Sequence, residues 1–488
     1  MVTLRLSGQQ DRYGAADLLR LFFGGPVQEL GDRLVCAGPD LELTCSIEPD
    51  EKSVWVQTRL GARVVSARAP AGKARRESRR QLYQILAGAT GQHFPWGSLT
   101  GIRPTLIAAE CLAGGRDRET ALRLLVDDWF VSPEKADLAL ETAQAEHRVL
   151  ETVPPDSLLV YIGIPFCPTR CSYCSFITRE APSRAALLEP YLAALCDEIR
   201  GFFCRITQPA AALYLGGGTP TTLTPDQLAR LLDAVRTSVP LTADAELTVE
   251  AGRPDTIDEA RLEVLRTAGV NRLCINPQTF QDRTLARIGR RHSVAQMVEA
   301  WQLARAMGFD HLNLDLIAGL PGETPTDLAD SLGQALELQP DSLTLHALAI
   351  KRSSALHEAL VCSAAAGPAE LPDWAAAVAA ARRSLASAGL APYYLYRQKQ
   401  TVGALENTGF ARPGKACRYN VAMMSDQRSV IGLGSGAMTK LVRGSRVERI
   451  PNPRSLDAYL ERAGALAGRK ADAWLANGSG ETFSLSSG

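Results

Sequence analysis

The chain has 488 residues, 46% of them apolar, with 53 Lys plus Arg balanced against 53 Asp plus Glu. That length and apolar share predict two or three domains with sizeable cores and exclude a largely disordered chain. The even charge removes any whole-chain reason for attraction to nucleic acid or an anionic membrane.

The opening MVTLRLSGQQDRY has no basic segment followed by an apolar run, and no stretch is long and apolar enough to span a bilayer. A cytoplasmic protein is expected. Eleven cysteines fit reduced thiols better than a disulfide framework. Eight of them are scattered, each expected to be a small buried residue, while Cys167, Cys171 and Cys174 fall within eight positions.

Taken in chain order, Val2 to Leu6, the region around Leu34, Leu41 to Ile47 and Ser53 to Gln57 read as strands around a helix from Gly14 to Phe23. A basic stretch follows (Arg63, Arg68, Lys73, Arg75, Arg76, Arg79, Arg80), leading into a helix through Leu82 and Ile85. It is either a solvated face or an anchor for carboxylates or phosphate. Helical patterns run from about Pro104 to Ala113, Arg118 to Asp128 and Pro133 to Leu150, and Val153-Pro154-Pro155-Asp156 reads as a linker.

Beyond the linker, strand and helix alternate. Strands are expected at Leu158 to Ile164, Ala212 to Leu215, Glu246 to Glu250, Arg272 to Asn276, Leu312 to Ile317 and Leu343 to Leu348. Helices between them carry start signals at Thr224-Pro225 and Thr324-Pro325. Six such units imply a partial (β/α)6 barrel of the TIM type, with chemistry at the carboxyl ends of the strands; a doubly wound sheet is the competitor. An Ala-rich helix from Pro372 to Ala388 stops at Gly389. The expected division is an accessory α+β domain over 1–152, the α/β barrel over 153–390, and over 391–488 a small α/β unit that covers substrate and ends in a flexible Ser/Gly tail.

The first barrel strand runs into Cys167-x3-Cys171-x2-Cys174. Three thiolates on one loop can hold a 4Fe-4S cube while leaving one iron open to the amino and carboxylate groups of a methionine moiety. Structural zinc is the alternative, but it wants four ligands, and no second Cys or His pair lies at finger spacing.

Polar residues stand at the other strand ends: Gly216-Gly217-Gly218-Thr219 after the second, then Glu250, Gln278 and Asp315. The glycines permit close backbone approach to a ligand, and the phosphate-loop reading lacks its lysine. Arg290, in the turn Arg290-Arg291-His292, can reach a carboxylate, and His346 near the sixth strand end is either packed or functional. The Gly432 to Gly436 turn lacks the context of a nucleotide site.

These phrases resemble the oxygen-independent coproporphyrinogen III oxidases (dehydrogenases) of the radical S-adenosylmethionine (SAM) superfamily, over about 155–440. They are YIGIPFCPTRCSYC from Tyr161, LYLGGGTP from Leu213, ELTVEAGRP from Glu246, INPQTF from Ile275, LNLDLIAGLPGET from Leu312 and LTLHALAIK from Leu343. GSLTGIRPT at Gly97 and NTGFARPGKACRYN at Asn407 look most like the HemZ-type branch.

The resemblance implies a 4Fe-4S cluster on Cys167, Cys171 and Cys174, with Tyr161 packed beside it, and Gly217, Gly218 and Thr219 lining SAM. It also implies that Glu250, Gln278, Arg290 and Asp315 hold the cofactor's methionine and ribose parts, with Tyr161, Glu250 and Arg290 closest to the chemistry. The implied reaction is oxidative decarboxylation of coproporphyrinogen III to protoporphyrinogen IX in heme biosynthesis, with a flavodoxin or ferredoxin as electron donor. The better-studied branch has His where Gly163 stands and a fourth Cys where Phe176 stands. Neither departure removes a cluster ligand. Sister proteins with the same core act as heme chaperones, which is the alternative function; an RNA-modifying radical enzyme, prompted by the basic stretch, is disfavoured by the neutral charge.

Overall fold

The computed structural model describes residues 1–8, 11–101, 103–174, 179–180, 185–349, 373–398, 401–444 and 446–476. Phe176, Cys362, Pro372 and the Ser/Gly tail from 477 lie outside these. The chain divides into two compact units, Met1–Glu141 and Thr142–Gly488.

The first unit is a six-stranded sheet: β1 (Val2–Ser7), β2 (Gln28–Leu30), β3 (Arg33–Cys36), β4 (Leu41–Asp50), β5 (Ser53–Leu60) and β6 (Arg63–Ala69), in the order β2-β3-β1-β4-β5-β6. Helices Arg12–Phe23 and Ala74–Thr90 bury Leu18, Leu19, Tyr83 and Leu86 with Leu4 and Leu43 of the sheet. β6 corrects the sequence reading: Arg63 and Arg68 of the basic stretch belong to an edge strand, where alternate side chains face water. The arginines that follow are ion-paired, Arg79 with Asp11, Arg80 with Glu77 and Arg76 with Glu110. They form a compensated helix face, which takes away the motive for an RNA or phosphate anchor there.

The second unit holds a nine-stranded sheet. Six strands, β7 (Leu158–Ile164), β10 (Ala210–Gly217), β11 (Leu241–Glu250), β12 (Arg272–Cys274), β13 (Leu312–Ala318) and β14 (Ser342–Ala347), lie side by side in chain order, all parallel. A doubly wound sheet would reverse its strand order partway, and this one does not, so the arrangement is an open (β/α)6 arc. Short β8 (Phe166–Cys167) and β9 (Arg179–Glu180) pair beside it. Helices Ala185–Phe203, Pro225–Ser238, Glu259–Thr267, Val294–Ala306 and Pro325–Glu337 fill the crossovers. Capping boxes Thr224/Gln227, Ser293/Gln296 and Thr324/Asp327 start three of them.

The remaining sheet strands come from the C-terminal third. β15 (Ala391–Arg397) and β16 (Glu406–Ala411) extend the β14 edge antiparallel, and β17 (Ile431–Leu433) lies parallel to β7. The division falls inside helix Pro133–Glu151, and residues beyond 390 complete the sheet because both edges of an open arc carry backbone groups that need partners. β18 (Met438–Arg443) and β19 (Arg446–Pro451) form a hairpin, and helix Ala463–Leu475 packs on Ala185–Phe203.

Strand periodicity sorts the core. Leu158, Val160, Leu213 and Leu215 face the helices, while Leu159, Tyr161, Ala212 and Tyr214 face a concave interior filled by Tyr393, Tyr394 and Tyr419. No helix among the described residues is long and apolar enough to cross a membrane.

Candidate active site

The cysteine loop leaves β7 and is tied down on several sides. Gly218 and Thr219 donate their backbone N–H groups to the carbonyls of Ile164 and Phe166, both at 2.7 Å. Thr219 Oγ1 reaches Cys167 Sγ at 3.5 Å. Ser172 N–H donates to Ile288 O at 3.0 Å, and Thr169 Oγ1 to Gly289 O at 3.2 Å. Arg253, 3% exposed, donates to Thr169 Oγ1 at 2.9 Å while paired with Asp255 at 3.0 Å. A guanidinium buried this deeply needs such partners, and here it fastens the loop to the end of β11.

Cys167, Cys171 and Cys174 are half-buried and unlinked. Burial first, then the proximity of Cys174 and Cys171, pushes the Cys167 thiol up to about 11. Three neighbouring thiols on one anchored loop fit a cluster that would draw their protons off. Among the described residues no three ligating side chains converge on a single ion, and a cube, in which each thiolate meets its own iron, does not ask them to.

Glu250 closes β11 beneath the glycines. Its Oε1 accepts from Tyr214 Oη at 2.6 Å and its Oε2 from Gly217 N–H at 3.0 Å. Burial pushes its pKa up to about 7, against the pull of those two hydrogen bonds. Tyr161 stacks on Tyr419 at 5.7 Å and on Tyr214 at 6.3 Å, and burial raises its phenol strongly. A Cβ on Gly218 would lie 2.3 Å from Phe166 O; on Gly217, whose φ is +106°, it would meet Tyr161 Oη at 2.9 Å. Both positions therefore require glycine.

Gln278 stands just past β12 with φ at 73°, a left-handed conformation costly for any side chain. Its N–H donates to Asp315 O, and its carbonyl accepts from Ile317 N–H, both at 2.9 Å. Asp315 on β13 is half-buried, which alone would raise its pKa; the facing His346 ring, with Asn313 and Thr344, brings it below the usual range.

Arg290 is 5% exposed and donates to Gly252 O, while its Nε has no partner. Its charge and those of Cys171 and Cys174 all act on Tyr173, which places Arg290 beside the cysteine loop. Asn276 Oδ1 and both ring nitrogens of His292 are also buried without hydrogen bonds. The unsatisfied Arg290 donor beside three thiols suits a ligand carboxylate.

The structure thus places Gly217, Gly218, Thr219 and Glu250 at strand ends that adjoin the cysteine loop and Arg290, with Gln278 just past β12, while Tyr161 and Asp315 lie in the middle of β7 and β13 rather than at their ends. Sequence reasoning did not single out Tyr214, Arg253, Asn313 or Tyr419. Tyr214, Arg253 and Asn313 had a signal in their place, each within three residues of a recognised site residue.

An open parallel arc with a three-cysteine loop on its first strand and a polar rim is a radical SAM architecture, and residues 161–335 match the model of the radical SAM superfamily. The chain is 36% identical over 389 residues, 78% of its length and 76% of the relative's, to the oxygen-independent coproporphyrinogen-III oxidase-like protein HemZ of Bacillus subtilis. It is 33% identical to the heme chaperone HemW of Mycobacterium tuberculosis over 62% of this chain and 74% of that one. Among solved structures, coproporphyrinogen III oxidase (HemN) of Escherichia coli matches with a TM-score of 0.50 and 25% identity, over 67% of this chain and 73% of that one.

The chain belongs to the oxygen-independent coproporphyrinogen III oxidase-like family, in its HemZ-like branch. Its cofactors are a 4Fe-4S cluster and SAM.

Proposed function

We propose that this protein catalyses oxygen-independent oxidative decarboxylation of two propionates of coproporphyrinogen III to vinyl groups, giving protoporphyrinogen IX. The observation that carries the reading is the buried, partly unpaired Arg290 guanidinium beside three neighbouring thiols, in a chain whose relative is named an oxygen-independent coproporphyrinogen-III oxidase-like protein.

Cys167, Cys171 and Cys174 ligate the cluster, and Tyr161 packs beside it. Arg290 takes the methionine carboxylate, Glu250 the ammonium, and Gln278 and Asp315 the ribose, while Gly217, Gly218 and Thr219 let the backbone come close. When bound and reduced, cluster and SAM together supply a 5′-deoxyadenosyl radical able to remove a hydrogen atom from a propionate β-carbon. Loss of carbon dioxide, with transfer of one further electron to an external one-electron acceptor, completes each vinyl group. Glu250, held ionised above about pH 7, keeps the cofactor's amino end in place, and the tyrosine-filled interior excludes water from the reacting carbon. A reduced flavodoxin or ferredoxin is the electron donor, in a cytoplasmic setting that keeps the thiols reduced.

Anaerobic turnover of coproporphyrinogen III by reconstituted protein, beside a Cys171→Ala control, tests this. Vinyl product with stoichiometric 5′-deoxyadenosine supports the reading, whereas abundant 5′-deoxyadenosine without vinyl product removes the substrate. The likeness to a protein named heme chaperone favours a second reading, heme binding and delivery. Tight heme binding with transfer to an apo-acceptor, and no SAM cleavage, would select it.

A further inference from the structure

Asp315 is oriented from both sides. On one, the buried Arg272 guanidinium donates to Ser342 Oγ at 2.8 Å, and Ser342 Oγ donates to Asn313 Oδ1 at 2.9 Å. The Asn313 amide nitrogen is then turned to Asp315 Oδ1, also at 2.9 Å. The other carboxylate oxygen, Oδ2, faces His346 Nε2 at 3.6 Å. Thr344, on the same strand as His346, hydrogen-bonds the same carboxylate.

The far side of the imidazole settles which nitrogen carries the hydrogen. The N–H of Ala347 can only donate, and it meets the Asn407 side chain at 3.1 Å, so the atom there is Oδ1. The same oxygen lies 3.2 Å from His346 Nδ1, which must be the donor; Tyr396 Oη stands 3.5 Å from it. Nε2 is therefore the nitrogen presented to Asp315. At 3.6 Å the two atoms are too far apart for a good direct hydrogen bond, and His346 is near enough to Glu250 for its charge to act there.

We propose that His346 is a cofactor-contacting residue, its Nε2 and Asp315 Oδ2 together holding ribose hydroxyl of SAM. The proposal rests on the reading of Asp315 as a ribose partner. A hydroxyl both donates and accepts. Between these atoms it donates to Oδ2 and accepts from a protonated Nε2; with a neutral ring, neighbouring hydroxyls donate one to each. The sugar is satisfied in either state of the ring, and a sugar lacking that hydroxyl leaves two half-buried polar atoms facing each other.

The test is the dissociation constant of SAM and of its 2′-deoxy and 3′-deoxy forms on anoxically reconstituted holoprotein. Wild type is expected to disfavour one deoxy form by about tenfold. His346→Phe, which keeps the ring volume, abolishes most of that preference, and His346→Gln, whose amide can meet a hydroxyl, restores part of it. If His346→Phe keeps the full preference while Asp315→Asn loses it, the proposal fails and the reading of Asp315 stands. If Asp315→Asn keeps both affinity and preference, that reading fails instead. Iron content and thermal melting of each variant confirm that it folds and loads its cluster.

Discussion

Two buried polar clusters in the second unit look alike in composition and differ in completeness. Between helices Ala185–Phe203 and Ala463–Leu475, the fully buried Glu198 accepts from Lys470 Nζ at 2.5 Å, Tyr459 Oη at 2.7 Å, Gly434 N–H at 2.8 Å and Asn452 Nδ2 at 3.0 Å. Lys470 also donates to Gly432 O at 2.6 Å, tying β17 to helix Ala185–Phe203 through Glu198. At the rim, by contrast, Arg290 Nε, Asn276 Oδ1 and the His292 nitrogens lack partners, Gln278 is strained, and Glu250 is held near neutrality. In the first cluster, a structural joint, the buried charges satisfy one another and Asn452 Oδ1 alone of the named side chains lacks a hydrogen bond, whereas at the rim a buried guanidinium donor is left over. Burial of charge alone does not mark a site; a charged group with unmet hydrogen-bonding capacity does.

The contrast is broken most forcefully at the joint. Lys470→Met leaves a buried carboxylate without its cation and is expected to cost about 3–5 kcal/mol of stability in denaturant titration. SAM affinity of the folded fraction should stay unchanged. A comparable loss of SAM affinity would show that the two clusters are coupled.

At the rim the expectation reverses. Glu250 has a folded pKa of about 7 against 4.5 for the free side chain, so the folded state binds the proton more tightly. Its contribution is favourable at low pH and is lost as pH rises from about 4.5 through about 7. Glu250→Gln is therefore expected to stabilise the apoprotein at pH 8, by about 1–2 kcal/mol, while weakening SAM binding. In wild type, SAM affinity should fall as pH drops below about 7, and Glu250→Gln should flatten that dependence. A smaller effect belongs to Tyr214→Phe. Removing its hydrogen bond should push the Glu250 pKa up further, moving the midpoint of SAM binding to higher pH by about half a unit to one unit.

How much was legible in the sequence follows the same division. The barrel strands were readable because strands buried on both faces become apolar runs, as in Ala210–Gly217, between capped helices. Gly217, Gly218 and Glu250 were readable because they sit at strand ends, where position along the chain already tells position in space; Asp315, expected at such an end, lies in the middle of β13. Edge strand β6 was not readable, since exposed Arg63 and Arg68 read as surface charge. Nor were the partnerships that finish the joint or orient Asp315. Glu198 and Lys470 are 272 residues apart, and Arg272 reaches Ser342 across 70, distances over which no local pattern carries information.

The most direct measurement is electron paramagnetic resonance of the anoxically purified, reduced protein before and after adding SAM, with iron and sulfide determined on the same sample. An open iron on a three-cysteine loop predicts about four iron and four sulfide per chain and a spectrum that changes on addition of SAM. A full complement of iron and sulfide whose spectrum is indifferent to SAM, or a Cys171→Ala variant that keeps both the cluster and the response, would contradict it.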